Sequence, residues 1–126
     1  MTISALLVDD DPAVRGVLCS VFQTRKFEVV TAASAAEALA LLAERSFDLV
    51  VTDMRMETDL AGYDVVRVAK SAAEQPLLII LSAYPIPPDE WRAAGADAAF
   101  MKGGGAMRML DEIDRMLQAR QRAKSA

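Results

Sequence analysis

Short apolar segments alternate along the whole chain with longer segments of mixed polarity. Several of the apolar segments are rich in β-branched residues and span only four to six positions, which is typical of buried strands. Apolar residues in the intervening segments recur every three or four positions, as on one face of a helix. The pattern predicts five strand–helix repeats and a parallel sheet covered by helices on both faces. The predicted strands are 5–8, 27–32, 49–52, 77–81 and 98–101.

Local signals mark where several of the helices begin and end. Asp11 is placed to cap the first helix, with Pro12 at the first helical position, where a missing N–H has no cost. Ser34 opens the capping-box pattern Ser-Ala-Ala-Glu, with Glu37 at the third helical position. A short fourth helix is expected after a proline-rich loop, and Gly95 is expected to end it.

Length and composition favour one folded domain. The chain has 126 residues, of which 53% are hydrophobic and 25% charged, so it can bury a full core. Its net charge is −4, and the sequence has no block of basic residues dense enough to predict nucleic-acid binding. The sequence offers no signal segment and no apolar stretch long enough for a membrane span, and we expect a cytoplasmic protein.

The residue inventory restricts the kind of metal site. The single cysteine, Cys19, and the absence of histidine exclude a disulfide framework and a Cys/His zinc site. Cys19 falls in the first predicted helix and is interpreted as a small core residue. Any metal bound here is therefore expected to be a hard cation with oxygen ligands, such as Mg²⁺.

Charged or hydroxyl side chains suited to binding or catalysis stand at the ends of four of the five predicted strands. Asp9-Asp10, Asp53, Ser82 and Lys102 stand at the carboxyl ends of strands one, three, four and five. In open parallel sheets ligands bind at this edge, so these residues converge if their strands are neighbours. Three close carboxylates repel each other unless a cation neutralises them, and a carboxylate is a known nucleophile for an aspartyl phosphate. The sequence therefore predicts a cation site that also holds a phosphoryl group.

This pattern resembles the receiver domain of two-component response regulators, over nearly the whole chain. The motifs are Leu-Val-Asp-Asp-Asp at 7–11, Leu-Val-Val-Thr-Asp at 49–53, Leu-Ser-Ala at 81–83, and Gly-Ala-Asp running to Phe-Met-Lys at 95–102. The resemblance implies a flavodoxin-like (βα)5 fold with strand order 2-1-3-4-5. We expect the receiver domain to span residues 1–120 and residues 121–126 to form a frayed tail.

The resemblance also assigns the metal site and the acceptor. Asp53 is implied to be the phosphoacceptor, and the donor is implied to be a phosphohistidine on a sensor kinase or phosphotransfer protein. Asp10 is implied to be a direct metal ligand and Asp9 to act largely through bound water. The main-chain carbonyl of Arg55 is implied to be a further ligand. The implied cofactor is Mg²⁺, for which Mn²⁺ can substitute.

Other residues take roles around the phosphoryl group by the same resemblance. Ser82, Ala83 and Lys102 are implied to bind phosphoryl oxygens and to take part in the switch. Arg55 and Tyr84 stand two positions after the acceptor and after the hydroxyl, where receivers tune dephosphorylation. Both side chains are large, so we expect a long-lived phosphorylated form.

The loop after the acceptor departs from the family pattern. Glu57 stands where proline is usual, and the loop is one residue longer than usual. We interpret Glu57 and Asp59 as solvated loop charges and not as metal ligands.

The fifth strand and the loop after it also depart from that pattern. Three glycines at 103–105 replace the proline that commonly follows the lysine, and this predicts a mobile loop. Ala99 replaces the aromatic switch residue, and Phe100 is expected in the core because neighbouring strand residues face opposite ways. The usual output face is therefore altered.

Two alternatives stay open at the level of sequence. A pseudo-receiver would act as a protein-interaction module without phosphorylation. A phosphatase of the haloacid-dehalogenase type would use the Asp-x-Asp at 9–11, but it would leave Asp53 without a role. In the receiver interpretation the downstream partner is another protein or a missing output domain, and homodimer formation is left open.

Overall fold

The computed structural model, which describes residues 2–125, is a five-stranded parallel sheet with helices on both faces. The strand order is β2-β1-β3-β4-β5, so the predicted fold and strand order are confirmed. Among the described residues, no helix is both long enough and apolar enough to cross a membrane. The elements are β1 Ser4–Val8, α1 Pro12–Gln23, β2 Glu28–Ala32, α2 Ala35–Glu44, β3 Leu49–Asp53, α3 Ala61–Lys70, β4 Leu77–Ser82, α4 Pro88–Ala94, β5 Ala98–Met101 and α5 Ala106–Ser125.

Two apolar layers, one on each face of the sheet, hold the helices in place. One layer packs α2 and α3 against the sheet, with Val50 and Ile80 fully buried beneath them. The other layer packs α1 and α5, with Phe22 and Leu110 fully buried. Because alternate residues of each central strand enter opposite layers, both faces need apolar residues, which explains the unbroken apolar runs in the sequence.

The predicted helix signals act as expected. The Asp11 side chain accepts hydrogen bonds from the N–H groups of Ala13 and Val14 at the start of α1. The Ser34 hydroxyl accepts from the N–H of Glu37. Helix α4 has only seven residues and ends at Gly95, whose φ of 106° is a left-handed conformation that favours glycine.

Helix α5 continues through Ser125, so the described part of the predicted tail is helical. Arg122 and Lys124 lie in its last turn, where positive charge interacts favourably with the helix dipole. Ala126 lies outside the described residues. The division into a domain at 1–120 and a tail at 121–126 stays a prediction.

Candidate functional site

Three carboxylates meet at the carboxyl edge of β1 and β3. These strands pair directly, with Val8 opposite Thr52, so the residues that follow Val8 lie beside Asp53. Asp9, Asp10 and Asp53 each offer a carboxylate oxygen within 4.8 Å of the other two. Asp9 and Asp53 are buried, whereas Asp10 is exposed and open to an incoming ligand.

Lys102 joins the cluster from the end of β5, two strands away from β3. Its Nζ lies 3.0 Å from Oδ2 of Asp9 and 3.1 Å from Oδ1 of Asp53. The backbone N–H of Lys102 donates to the carbonyl of Ser82 over 2.7 Å, which anchors the lysine to the end of β4. The structure therefore brings Asp9, Asp53 and Lys102 into one charged cluster.

The surroundings shift the pKa values of Asp53 and Lys102. Burial, and then the charge of Asp9, raises the pKa of the Asp53 carboxyl, and Lys102 only partly opposes this. Burial alone would lower the pKa of Lys102, but its ion pairs with Asp9 and Asp53 outweigh burial and raise that pKa. Lys102 thus stays charged at neutral pH and holds the two acids together.

Ser82 is buried at the end of β4, on the strand next to Asp53. Its hydroxyl accepts a hydrogen bond from the N–H of Tyr84 over 3.1 Å, which tightens the turn after the strand. Ala83 lies exposed between these two residues. The hydroxyl can still donate its proton to an anion at the sheet edge.

Arg55 and Tyr84 form a contact that the sequence did not reveal. The guanidinium carbon of Arg55 lies 4.6 Å from the centre of the Tyr84 ring, which is a cation–π arrangement. Both residues are exposed, and Arg55 follows Asp53 by two positions. The two residues with predicted tuning roles are thus one stacked pair that joins the loop after β3 to the loop after β4.

Arg15 has a contact at the site that the sequence did not predict. Its guanidinium donates to the main-chain carbonyl of Asp9 over 2.8 Å, from the first turns of α1. An arginine on a helix with no motif around it gives no signal that could have identified this contact.

Glu57 is exposed, as expected for a loop charge, but its carboxylate also has specific partners that the sequence did not reveal. Its two carboxylate oxygens accept hydrogen bonds from the N–H groups of Ala35 and Ala36, at 2.9 and 3.0 Å. These bonds lower the pKa of Glu57. The physical reason is that the first N–H groups of a helix lack partners within it and attract a carboxylate. Asp59 is also exposed, but its side chain makes no hydrogen bond or ion pair within residues 2–125.

The strand before Lys102 places Ala99 and Phe100 on opposite faces of the sheet. Ala99 packs against the layer of α2 and α3, and Phe100 packs against the layer of α1 and α5. Phe100 also lines an apolar groove of about 650 Å³ between α1 and the glycine loop. The expected packing of Phe100 against the core is confirmed, and its not being a displaced switch aromatic stays a prediction.

The glycine loop after Lys102 uses backbone conformations that favour glycine. Gly103 and Gly105 have φ values of 82° and 100°. These values explain why glycine occurs twice here. Whether the loop is mobile stays a prediction.

The residues at the sheet edge fit a divalent cation. Oδ1 of Asp9 accepts from the N–H of Asp11, but Oδ2 is buried without a hydrogen bond of good geometry and has only the ion pair with Lys102. An under-satisfied buried oxygen beside two further carboxylates is a donor set suited to Mg²⁺. The exposed Asp10 leaves one side of the cluster open for entry.

Several curated proteins resemble this sequence over most of its length. The chain is 34% identical over 116 residues to the gliding motility regulatory protein of Myxococcus xanthus, covering 88% of this chain and 15% of that protein. It is 32% identical over 123 residues to the transcriptional regulatory protein KdpE of Mycobacterium tuberculosis, covering 96% of this chain and 52% of KdpE. The chain thus spans about half or less of the length of these curated relatives.

Solved structures share the whole fold. The chemotaxis response regulator CheY4 of Vibrio cholerae superposes with a TM-score of 0.81 at 26% identity, covering 91% of this chain and 98% of that one. A CheY-like receiver domain protein of Methanospirillum hungatei gives a TM-score of 0.88 at 24% identity and covers 98% and 99% of the two chains. Residues 5–114 match the family described as the response regulator receiver domain. With the acids, the lysine and the strand order in place, the chain belongs to the receiver domain family of two-component response regulators.

Proposed function

We propose that this receiver accepts a phosphoryl group on Asp53 from a phosphohistidine donor, in a reaction that depends on Mg²⁺, and signals by a conformational change. The observation that carries the proposal is the cluster itself. The Asp53 carboxylate ends β3 beside Asp9 and Asp10 and lies 3.1 Å from the Lys102 ammonium. A carboxylate nucleophile, acids for a cation and a fixed positive charge are the parts that phosphoryl transfer requires.

Receiver domains as a class are signalling modules that bind Mg²⁺ at an acidic pocket and interact with histidine kinases or phosphotransfer proteins and with downstream effectors. For this chain we propose Asp9, Asp10, Asp53 and the main-chain carbonyl of Arg55 as the residues that hold Mg²⁺, with Mn²⁺ as a substitute. When bound, the cation neutralises charge on the carboxylates and on the transferring phosphoryl oxygens.

The transfer is a simple displacement at phosphorus. An oxygen of Asp53 forms the new O–P bond while the N–P bond of the donor phosphohistidine breaks, and the imidazole nitrogen keeps the electron pair. Lys102 and Ser82 then hold the phosphoryl oxygens by ionic and hydrogen-bond contacts, with Ala83 at the same turn. Since the group stays on the protein, Asp53 is an acceptor and the domain is not an enzyme with turnover, although it can catalyse its own transfer from a small acyl phosphate.

Release of the group requires an attacking water, and we assign its control to the stack of Arg55 on Tyr84. The stack joins the loop that follows Asp53 to the loop that follows Ser82. Two large side chains in contact exclude water better than either does alone. We therefore expect slow dephosphorylation.

A second candidate is a pseudo-receiver that binds partners without phosphorylation. The observation in its favour is the altered output face, with Ala99 in place of an aromatic and a β5 of only four residues. In this case the acids would stabilise the fold or bind a cation without accepting phosphate.

Intact mass after incubation with Mg²⁺ and acetyl phosphate separates the two candidates. We expect the wild type to gain one phosphoryl group, and neither Asp53→Ala nor a wild-type sample treated with a chelator to gain it. A wild type that binds Mg²⁺ but gains no mass, from acetyl phosphate or from a histidine-phosphorylated donor, would establish the pseudo-receiver. A gain that persists in Asp53→Ala would move the acceptor elsewhere.

A further inference from the structure

Glu57 links two parts of the molecule that are far apart in sequence. It lies in the loop 54–60 between β3 and α3, and its carboxylate contacts the first N–H groups of α2, on the neighbouring helix of the same face. Oε1 accepts from Ala35 over 2.9 Å and Oε2 accepts from Ala36 over 3.0 Å. Both carboxylate oxygens are therefore occupied by one helix end, 21 and 22 residues away in the chain.

This contact provides hydrogen-bond acceptors for the free N–H groups at the start of α2. The Ser34 hydroxyl accepts from the N–H of Glu37, so Ala35 and Ala36 are the N–H groups that Ser34 leaves without a partner. A carboxylate is the best partner for such groups because it adds charge-assisted hydrogen bonds to the attraction of the helix dipole. The contact with Glu57 therefore stabilises the start of α2.

The same contact restrains the loop that follows the acceptor. At the inner end of the loop, Met54 donates to the carbonyl of Leu81 and accepts from the N–H of Gly62. The outer part lacks the proline that receivers usually have at this position, and Glu57 stands there instead. Arg55 lies between the two anchors, and its carbonyl is the main-chain oxygen proposed for Mg²⁺.

We propose that Glu57 is a positioning residue for the metal site: by binding the start of α2 it fixes the loop 54–60 and so presents the Arg55 carbonyl. The side-chain contact replaces the backbone restraint of the missing proline. It also keeps the Glu57 carboxylate out of the acidic cluster, which among the described residues contains Asp9, Asp10 and Asp53 only. The part of the inference that concerns Mg²⁺ rests on the proposed function, and the contact with α2 does not.

The chain supplies a matched control for the test. Glu57→Gln and Asp59→Asn each remove one negative charge from the same loop, so they weaken long-range attraction of a cation alike. Only Glu57→Gln removes a contact, since Asp59 has no hydrogen bond or ion pair in the described part of the chain. Ser34→Ala is a second control, because it weakens the start of α2 without touching the loop.

Two measurements on each variant of the 126-residue chain test the proposal. Amide proton shifts and exchange of Ala35 and Ala36 are followed by NMR without metal, and Mg²⁺ affinity is measured by titration calorimetry. In Glu57→Gln we expect at least one of the two amides to shift and exchange faster, because glutamine offers a single acceptor oxygen. We expect the Mg²⁺ dissociation constant of Glu57→Gln to exceed that of Asp59→Asn by about threefold to tenfold, as for loss of one charge-assisted contact. Ser34→Ala should leave Mg²⁺ affinity unchanged.

Each result that contradicts these expectations shows whether the contact, the positioning role or the proposed function is wrong. Unchanged Ala35 and Ala36 amides in Glu57→Gln would overturn the contact itself. Changed amides with equal Mg²⁺ affinity in Glu57→Gln and Asp59→Asn would reduce Glu57 to a helix cap and overturn its positioning role. Failure of the wild type to bind Mg²⁺ would defeat the proposed function and the positioning role together, while the amide result would still decide the contact.

Discussion

The two halves of the sheet edge differ in how deeply their strands are buried and in how their helices are capped. On one side, β3 and the last four residues of β1 are buried, and α1 and α2 begin with side-chain caps. On the other side, β5 has four residues, all of them partly buried or exposed, and α4 has seven residues with none buried and no side-chain cap. The first half carries the acids, and in the proposed function the second half would carry the response to phosphorylation.

This difference matches the two requirements of the proposed function, a fixed phosphoryl site and a segment that can respond to it. A phosphoryl site needs carboxylates held within a narrow range of positions, which buried strands provide. A response needs a segment of low local stability, with few buried contacts to break. The fully buried β4 lies between the two and provides Ser82 at its end.

The largest effect is expected from Lys102, which follows β5 but contacts the acids of the other half. In Lys102→Ala, Asp9 and Asp53 lose their shared positive charge, so labelling by acetyl phosphate should fall about 100-fold. Without metal, the free energy of unfolding should fall by about 2 kcal/mol, because a buried pair loses one partner. Mass spectrometry and urea unfolding measure the two effects. Lys124→Ala, at the exposed end of α5, should change neither, and equal behaviour of the two variants would show that the halves are not coupled through Lys102.

Gly62 tests how rigid the acid-bearing half is. A Cβ at this position would lie 2.5 Å from the Asp53 carbonyl oxygen and 2.9 Å from the Met54 Cα, both backbone atoms. Gly62→Ala should therefore destabilise the fold by about 2 kcal/mol and slow phosphorylation. Gly16→Ala is the matched control: nothing lies within 4 Å of its Cβ in α1, and it should stabilise by about 0.5–1 kcal/mol. Urea unfolding that gave both variants the same sign would contradict this account.

Arg55 and Tyr84 test whether the two halves act together on hydrolysis. Each single alanine variant should lose its phosphoryl group about twofold to fivefold faster than the wild type, since an exposed cation–π contact contributes about 0.5–1 kcal/mol. The double variant should be little faster than either single variant, because each substitution already breaks the stack. Decay of the phosphorylated mass after removal of acetyl phosphate gives the rates. Wild-type decay within seconds that neither substitution changes would remove the stack from the mechanism.

The smallest effect concerns Tyr63, which links α3 to α4. Its hydroxyl donates to Oε1 of Glu90 over 3.0 Å, and burial together with this bond raises the pKa of Tyr63 to about 12. Because the folded pKa exceeds the ordinary value of 10.0, the stabilisation is complete below that value and is lost as pH rises toward 12. Absorbance titration of Tyr84→Phe, in which Tyr63 is the remaining tyrosine, should show a midpoint near 12. Adding Glu90→Gln should lower that midpoint, and an unchanged midpoint would refute the link.

Features that depend on residues close together in the chain were predictable from the sequence. The strands and the order of elements follow from apolar periodicity, and the caps at Asp11 and Ser34 follow from their position before an apolar repeat. The acids, Ser82 and Lys102 were identifiable because each stands at the carboxyl end of a strand or within two residues after it. The strand order itself came from resemblance to a family and not from periodicity.

Contacts between distant segments were not predictable. Glu57 meets Ala35 across 22 residues, and Arg55 meets Tyr84 across two loops. Neither pair has a spacing or motif that sets it apart from surface polar residues. Loop residues become partners only after the sheet has aligned the strand ends, so their roles appear only in three dimensions.

The short β5 has a further consequence for the behaviour of the chain in solution. It pairs along one side of β4, whose six residues, Leu-Leu-Ile-Ile-Leu-Ser, are all buried. If β5 detaches, β4 becomes an exposed apolar edge strand with unpaired backbone groups, which is a template for association with other chains. Pairing with β5 therefore covers an edge that would otherwise be prone to association, and substitutions that loosen β5 should lower the solubility of the protein.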